Sequence, residues 1–325
     1  MLHKLKILKK ALKVLIRNEY DYELYESKRI LSRLGKIYLE SFLNTNSQIE
    51  LPYTETPEIS IILVLYNKAE LTLSCLYSIL RSQVNSYEVV IVDNNSTDKT
   101  RLLLSRIKGA KIIQNTENLH FLLACNQASR VASGRYLLFL NNDTQVLADS
   151  INSSLRTIKF SEDIGAVGGK IILPNGTLQE AGNIIWQDGS CSTYGRRDEP
   201  FAPKYMFMRD VDYCSGAFLL TNRELFMNMG GFDEDYKPAY YEETDYCVRL
   251  WKTGKRVVYD PNVVLIHMEF GSAVSAKDPM ILQTKNRRIF VEKHKDWLAS
   301  QYPASESNIL KASSKQGTKK FQESP

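Results

Sequence analysis

Cysteine is scarce in this chain and poorly placed for covalent bracing. There are five, Cys75, Cys125, Cys191, Cys214 and Cys247. They are scattered, odd in number and never spaced C-x-x-C, which argues against a disulfide framework and a structural zinc site. Reduced thiols of a cytoplasmic protein are the simplest expectation. No apolar run approaches the roughly 20 residues that a membrane-spanning helix needs. Met1 to Arg17 is basic but lacks an apolar h-region and a small-residue cleavage site, so no signal peptide is expected. The chain is therefore expected to be soluble, or peripheral on the inner face of a membrane. Two phosphate-binding signatures are also missing. No G-x-G-x-x-G follows the first strand pattern, and no G-x-x-x-x-G-K-[ST] occurs anywhere. A bound nucleotide would need its charge neutralised in some other way.

The chain has 325 residues, 43% hydrophobic and 24% charged, with a net charge of +5. That composition is ordinary for a globular domain with a sizeable core. The basic excess is too small to argue for nucleic acid, and it suits an anionic substrate or an anionic membrane surface. Charge of one sign is unevenly spread, because no acidic residue precedes Glu19. Leu5, Leu8, Leu12 and Leu15 recur at helical spacing among Lys4, Lys6, Lys9, Lys10, Lys13 and Arg17. Such a helix can lie on an anionic leaflet, or pack its leucine stripe on the main domain or a partner. Periodicity alone does not choose between them. Glu50 to Glu58, with Pro52 and Pro57, reads as a linker.

From Ile59 the pattern becomes strand, helix, strand. Ile59–Leu65 and Tyr87–Val92 are continuous apolar runs, as buried parallel strands require. Lys111–Gln114 and Arg135–Leu140 supply two more strands. Helices are expected over Ala69–Arg81, over Thr97–Lys108 with Ser96 as cap, and over Asn118–Ala132. This alternation implies a doubly wound, mainly parallel α/β sheet with flanking helices. Beyond Asp149 the expected strands are Gly165–Leu173, Cys214–Thr221, Val257–Tyr259 and Val263–Ile266. Helices are expected over Tyr241–Thr253 and Lys277–Trp297. Asp188–Pro203 reads as a polar loop and the stretch from Ser305 as disordered. The expected organisation is a helical extension and linker over 1–57, a main domain over 58–275, a helix over 276–304 and a tail over 305–325.

In open α/β sheets ligands bind beyond the carboxyl ends of the strands. The first strand ends in Tyr66-Asn67, the second in Asp93-Asn94-Asn95-Ser96, and the fourth in Asn141-Asn142-Asp143-Thr144. Asp143 is either the carboxylate that holds a divalent metal against nucleotide phosphates or part of a polar turn. Asp93 is either a ligand contact or a cap. A second cluster, Tyr240-Tyr241-Glu242-Glu243-Thr244-Asp245, crowds three carboxylates at a helix start. The helix dipole favours them and their mutual repulsion raises a pKa, which suits a general base. An exposed acidic first turn is the alternative. His267 follows an apolar run.

These segments resemble the family 2 glycosyltransferases, which have the GT-A fold. Ile59–Asp98 resembles the family's nucleotide-binding start. Asn118–Asp143 resembles the block that ends at the D-x-D motif, here Asn141-Asn142-Asp143. Ser215–Asp245 resembles the acceptor-side block, and His267–Ser272 the closing H-x-x-G-x-S segment. The resemblance implies a main domain with a nucleotide-binding half over 58–150 and an acceptor half over 151–275. It implies that Tyr66, Asn67, Asp93, Asn95, Asn118, Asn126 and Asn142 line a nucleotide-sugar site. Within that site Tyr66 stacks near the base and Asp93 accepts its N–H. Asp143 and His267 hold a Mn²⁺ or Mg²⁺ ion. Glu243 is the catalytic base, with Glu242 and Asp245 beside it. The implied reaction inverts the anomeric centre of a UDP- or dTDP-sugar on transfer to a saccharide or lipid-linked acceptor. Three departures stand out: one carboxylate in D-x-D, Glu242-Glu243 where the family has Glu-Asp, and His120 where it usually has glycine. A catalytically inactive nucleotide-sugar-binding module or scaffold is the rival expectation. Closure of the Asp188–Pro203 loop over the donor is a further one.

Overall fold

A computed structural model of the chain describes residues 2–147, 149–269 and 277–313, with side chains from residue 21 onward except those of 277–280. Six apolar positions out of seven, with Ser60 satisfied by Glu88, leave β2 (Ile59–Leu65) no solvent face, so it is buried on both sides. Ile61, Leu63 and Leu65 join one hydrophobic core while Ile62 joins the other. Strand β3 alternates in the same way, with Val89 and Ile91 on one face and Val90 and Val92 on the other.

The elements in chain order begin with α1 (Leu2–Leu43), β1 (Ile49–Glu50), β2, α2 (Ala69–Arg81), β3 (Tyr87–Asp93), α3 (Thr100–Leu104), β4 (Ile107–Lys108) and β5 (Ala110–Gln114). Next come α4 (His120–Val131), β6 (Tyr136–Asn141), β7 (Thr144–Val146), α5 (Ser150–Phe160), β8 (Ile164–Ile172), β9 (Leu178–Ala181), β10 (Asn183–Ile185) and β11 (Cys191–Thr193). The last are β12 (Arg209–Asp210), β13 (Phe218–Asn222), α6 (Arg223–Asn228), α7 (Glu242–Lys252), β14 (Arg256–His267), α8 (Lys277–Leu298) and α9 (Ile309–Ser313). The main sheet runs β12-β14-β8-β13-β6-β2-β3-β5, with β7 added to β14 and β9 to β8. Strands β5, β3, β2 and β6 are mutually parallel. Strand β13 reverses between β6 and β8, and β14 returns parallel to β8. The sheet is thus doubly wound and mainly parallel, as expected, with its all-parallel part formed by β5, β3, β2 and β6.

Several elements differ from expectation, each for a local reason. The helix expected over Thr97–Lys108 is only α3. Asp98 takes the Thr100 N–H at 2.9 Å, while Ser96 Oγ is occupied by the Asn67 N–H. The segment then leaves the helix to pair as β4 with β1. Gly109 makes that possible, since its φ is +80° and a Cβ there would lie 2.1 Å from the Leu51 carbonyl. The strand expected from Cys214 begins only at Phe218, after a turn in which Ser215 O accepts the Phe218 N–H. The two short strands expected after Val257 are one strand, β14, with an irregularity between Asp260 and Val264. Buried Asp260 accepts from Ser153, Thr157 and the Asn262 N–H at that break. Asp188–Pro203 is not a free loop. It contains β11, and Leu178 of β9 donates to the Asp198 carbonyl at 2.9 Å and accepts from the Arg197 N–H at 2.8 Å. Ser305–Ser313 forms a 3-10 turn and α9, with Ala312 packed on Ile184 and Trp186. Residues from 314 lie outside the described residues, as do Phe270, Gly271 and Ser272.

The extension expected over 1–57 is not separate along its whole length. Leu39 and Phe42 are buried in the core, and Tyr38 and Phe42 pack on Tyr77 of α2. The side chains of the leucine- and lysine-rich first half lie outside the described ones.

Candidate functional site

The carboxyl ends of β2, β6 and β14 and the start of α7 open on one cavity of about 410 Å³. Its walls include Tyr66, Asn118, His120, Asn142, Asp143, Gln179, Glu242, Glu243 and His267. Register explains the pairing of two of them. Strand β7 lies antiparallel to β14 with Thr144 opposite His267, and the Met268 N–H returns to the Asp143 carbonyl at 3.0 Å. That pairing brings His267 Nε2 to 3.1 Å from Asp143 Oδ1. The other ring nitrogen, Nδ1, meets Gln179 Oε1 at 3.0 Å. An amide oxygen can only accept, so Nδ1 carries the hydrogen and Nε2 faces the carboxylate. Burial disfavours the imidazolium, but Asp143, Glu269 and Glu180 outweigh it and raise the His267 pKa.

Tyr240 and Tyr241 introduce α7 with φ values of +76° and +75°. Two successive non-glycine residues in the left-handed region are uncommon and strained. Asn286 Nδ2 of α8 lies 2.8–2.9 Å from the carbonyls of Tyr236, Ala239 and Tyr240 and holds that entry in place. The strained entry points Glu242 and Glu243 into the cavity. Burial, then the neighbouring Glu243 carboxylate, push Glu242 well above the ordinary carboxylate range. Burial also raises Glu243, against backbone N–H groups that include that of Gly216. Each carboxylate keeps its Oε2 without a hydrogen bond among the described residues. Glu242, the deeper of the two at 3% exposure, is the one suited to hold a proton.

Other expected site residues do different work. Asp93 is buried at the end of β3; Oδ1 accepts the Ser96 N–H at 3.0 Å, and Oδ2 has no partner among the described residues. That unsatisfied oxygen is a fitting acceptor for a base N–H. Asn67 does not line the cavity. Its Oδ1 accepts from the backbone N–H groups of Thr97 and Asp98 and ties two strand-end loops together. Asn95 accepts from Arg101 Nη2 at 2.7 Å. Asn142 lines the cavity while its amide donates to Thr72. Asn126 corrects the expectation of a donor contact. Its amide donates to Phe232 O at 2.8 Å and accepts from Phe232 N at 2.9 Å, so both ends are spent on backbone. Asp245 is corrected as well. It is fully buried and faces Arg249 at 2.6 Å, and Lys293 and His294 at 2.7 Å each. Burial would raise its pKa, but His294 and the two cations outweigh that and hold it well below the ordinary range. Asp245 therefore fastens α7 to α8 and does not enter the cavity.

Residues unmarked in the sequence also enter the site. Gln179 reaches His267 only because β9 pairs with β8. Glu180 beside it is buried and pushed up to about 7 by that burial. At the rim, Arg196 grips Glu269 through two contacts of 2.8 and 2.9 Å, and Lys28 of α1 donates to the Glu269 carbonyl at 2.9 Å. Glu269 lies inside the closing His267–Ser272 segment, but Gln179, Glu180, Arg196 and Lys28 stand in no local motif, so only the folded register reveals them.

A mainly parallel sheet with the reversed strand β13 inside it, flanked by helices, is a fold of the GT-A class. Solved structures agree with that class. A complex titled GalNAc-T7 with UDP, GalNAc and Mn²⁺ has a TM-score of 0.54 at 15% identity, covering 66% of this chain and 44% of that one. A mannosyltransferase from Pyrobaculum calidifontis, in complex with GDP-Man and Mn²⁺, has a TM-score of 0.50 at 16% identity, covering 89% and 82%. At such identity these matches concern the fold alone. The model of glycosyl transferase family 2 matches residues 60–230, and the chain belongs to that family. The matched range stops short of Glu242 and His267. Among curated relatives, the O-antigen biosynthesis protein RfbC of Myxococcus xanthus is 31% identical over 235 residues, covering 69% of this chain and 18% of RfbC. The N-acetylglucosaminyl-diphospho-decaprenol L-rhamnosyltransferase of Mycobacterium tuberculosis is 27% identical over 240 residues, covering 64% and 76%. The chain spans less than two thirds of RfbC and of the next relative, of which it covers 25%.

Proposed function

We propose that the chain is an inverting, metal-dependent glycosyltransferase that moves one sugar from a UDP- or dTDP-sugar to an acceptor hydroxyl. One observation carries this reading: Asp143 and His267 share a single cavity with Glu242 and Glu243. A buried carboxylate oxygen and an imidazole nitrogen 3.1 Å apart, the latter oriented by Gln179, form a donor set suited to Mn²⁺ or Mg²⁺. An ion held there supplies positive charge to a departing diphosphate.

The remaining work falls to the chain's own groups. Tyr66 and Asp93 suit the stacking and N–H recognition of a pyrimidine base, and Asn118 and Asn142 line the path between base and metal pair. Glu243 takes the acceptor proton as the acceptor oxygen bonds to the anomeric carbon and the bond to the diphosphate oxygen breaks. Glu242, kept neutral beside it, leaves Glu243 the ionised member of the pair. The relatives' names, O-antigen biosynthesis and diphospho-decaprenol rhamnosyl transfer, support a cell-envelope glycan or lipid-linked acceptor. The basic start of α1 supports residence on an anionic membrane surface at its cytoplasmic side.

The test is donor hydrolysis in the presence of Mn²⁺ across a panel of nucleotide-diphosphate sugars. Wild type is expected to hydrolyse one donor, and Asp143→Ala to abolish that hydrolysis. Hydrolysis that persists in Asp143→Ala would overturn the metal assignment. Donor binding by wild type without any turnover would instead favour the inactive-module reading, for which the single carboxylate of Asn141-Asn142-Asp143 speaks.

A further inference from the structure

Two cations lie buried outside the cavity with no carboxylate against them among the described residues. Lys170 of β8 has no exposed surface. Its ammonium touches the Met206 sulfur at 3.0 Å and stands 4.7 Å from the centre of the Phe201 ring. A thioether is a weak acceptor and a ring face a weak anion, so neither replaces the lost water. Arg209 of β12 is 4% exposed. Its guanidinium lies between the rings of Tyr259, Tyr194 and Phe207, at 4.4, 4.9 and 5.8 Å. Nη2 donates to the Ala181 carbonyl, while Nε and Nη1 have no partner among the described residues. The two cations belong together, because Ala181 is also the residue of β9 opposite Lys170.

A single segment roofs both. Phe201, Met206 and Phe207 face the cations with their inner sides, yet with Met208 they stay 56%, 47%, 43% and 45% exposed. Four large apolar side chains so close together on the surface mark a contact site rather than chance exposure. Buried charge without a counter-charge is costly, and an anion completes it. A phosphoryl group matches the free guanidinium and ammonium donors, and a hydrocarbon chain matches the roof. The place also fits the acceptor. Ala181 is two residues along β9 from Gln179 of the cavity wall, about 7 Å in an extended strand.

We propose that Lys170 and Arg209 bind the phosphoryl head of a lipid-linked molecule, with its hydrocarbon chain lying on Phe201, Met206, Phe207 and Met208. This deepens the acceptor half of the proposed function, and rests on that reading only in taking the lipid-linked molecule to be the acceptor.

Calorimetry on the full chain in EDTA, with farnesyl diphosphate as probe, tests the site apart from the metal-dependent donor cavity. Farnesyl diphosphate is expected to bind at least about tenfold more tightly than inorganic pyrophosphate, and farnesol not at all. Lys170→Met and Arg209→Met should each weaken farnesyl diphosphate by about tenfold or more, whereas Lys170→Arg should retain it. Lys170→Met should melt no lower than wild type, because it removes an uncompensated buried charge. The surface variant Phe207→Ser with Met208→Ser guards against misfolding of the others. It should weaken farnesyl diphosphate but leave pyrophosphate unchanged. Equal binding of farnesyl diphosphate by wild type and Lys170→Met would overturn the proposal. Pyrophosphate bound as tightly as farnesyl diphosphate would overturn the lipid source. UDP binding with Mn²⁺ should be unchanged in Lys170→Met, so failure of the donor reading is seen separately.

Discussion

Glu243 and its neighbours make the sharpest predictions at the scale of one residue. Replacing Glu243 by Gln keeps the shape and removes the proton acceptor. Turnover is expected to fall about 10²–10⁴-fold with little change in donor affinity. Because burial raises the Glu242 and Glu243 pKa values, the active ionised form of Glu243 is gained as pH rises. The rate in wild type should therefore climb with pH on a limb lying above the ordinary carboxylate range, and steady-state rates across pH check it. Glu180 gives a prediction about stability. Its folded pKa is about 7 against an ordinary 4.5. The folded state binds the extra proton between these values, so stability falls as pH rises through that window. The cost at high pH is on the order of 3 kcal/mol. In EDTA, Glu180→Gln should flatten this dependence in denaturant titrations, and an unchanged profile would contradict the assignment. His120, one of the three departures from the family pattern that the sequence resembles, is exposed and at a φ of +59°. His120→Gly should gain about 1 kcal/mol of stability. Lost donor affinity in that variant would show that the imidazole contacts the ligand.

The union of α7 with α8 is decided at the scale of elements. Asp245 faces Arg249, Lys293 and His294, with Asp233 as a second acid on Lys293, and the Tyr236 hydroxyl donates to Asp245 at 3.1 Å. Asp245→Asn leaves the largely buried Arg249 without its carboxylate, while Lys293 keeps Asp233, and should cost about 3 kcal/mol in urea unfolding. Asp245 contributes stability above the ordinary carboxylate pKa and loses it as pH falls, so the variant should also lose part of its acid-side dependence. The three-acid run at 242–245 was legible in the sequence as a helix start, but not the direction of each side chain. Successive helical positions point about 100° apart, so Glu242 and Glu243 meet the cavity while Asp245 turns to α8. Strand β2 and helix α2 were legible to the residue because their patterns are local and unbroken. The reversed strand β13, the joined strand β14 and the arrival of Gln179 were not, because long-range pairing produces them. Asn126 shows the same limit from the other side. Its place in the expected block was right, and a turn at Gly231-Phe232 far along the chain claims both ends of its amide.

For the whole molecule, the proposed membrane residence raises the question of which side would face the lipid. Helix α1 leaves Tyr22, Ile30, Leu34 and Ile37 66%, 50%, 55% and 59% exposed. It also leans on the cavity rim through Lys28 and Glu269, and on the segment before the Phe201–Met208 roof through Asp21 and Arg197 at 2.6 Å. Helix α1 thus touches both the cavity rim and the segment that leads to the roof, and its lysine-rich start precedes these contacts along the helix. A chain docked there would bring an acceptor's lipid and the cavity opening to one plane. Among the described residues no helix is long and apolar enough to cross a membrane, so attachment by this helix would be interfacial. A truncation that tests this must stop before residue 21, because Leu39 and Phe42 are part of the core. Charge reversal is cleaner. Each lysine near an anionic leaflet contributes about 1 kcal/mol, so changing Lys4, Lys6, Lys9 and Lys10 to Glu should lower partition onto phosphatidylglycerol vesicles by a hundredfold or more, on the order of magnitude. Flotation of the wild type should weaken as salt rises, since screening shortens the reach of each charge. Donor hydrolysis, which needs only the cavity, should be unchanged in the same variant. If it floats as well as wild type in low salt, α1 does not face the lipid and the acceptor must reach the cavity by another side.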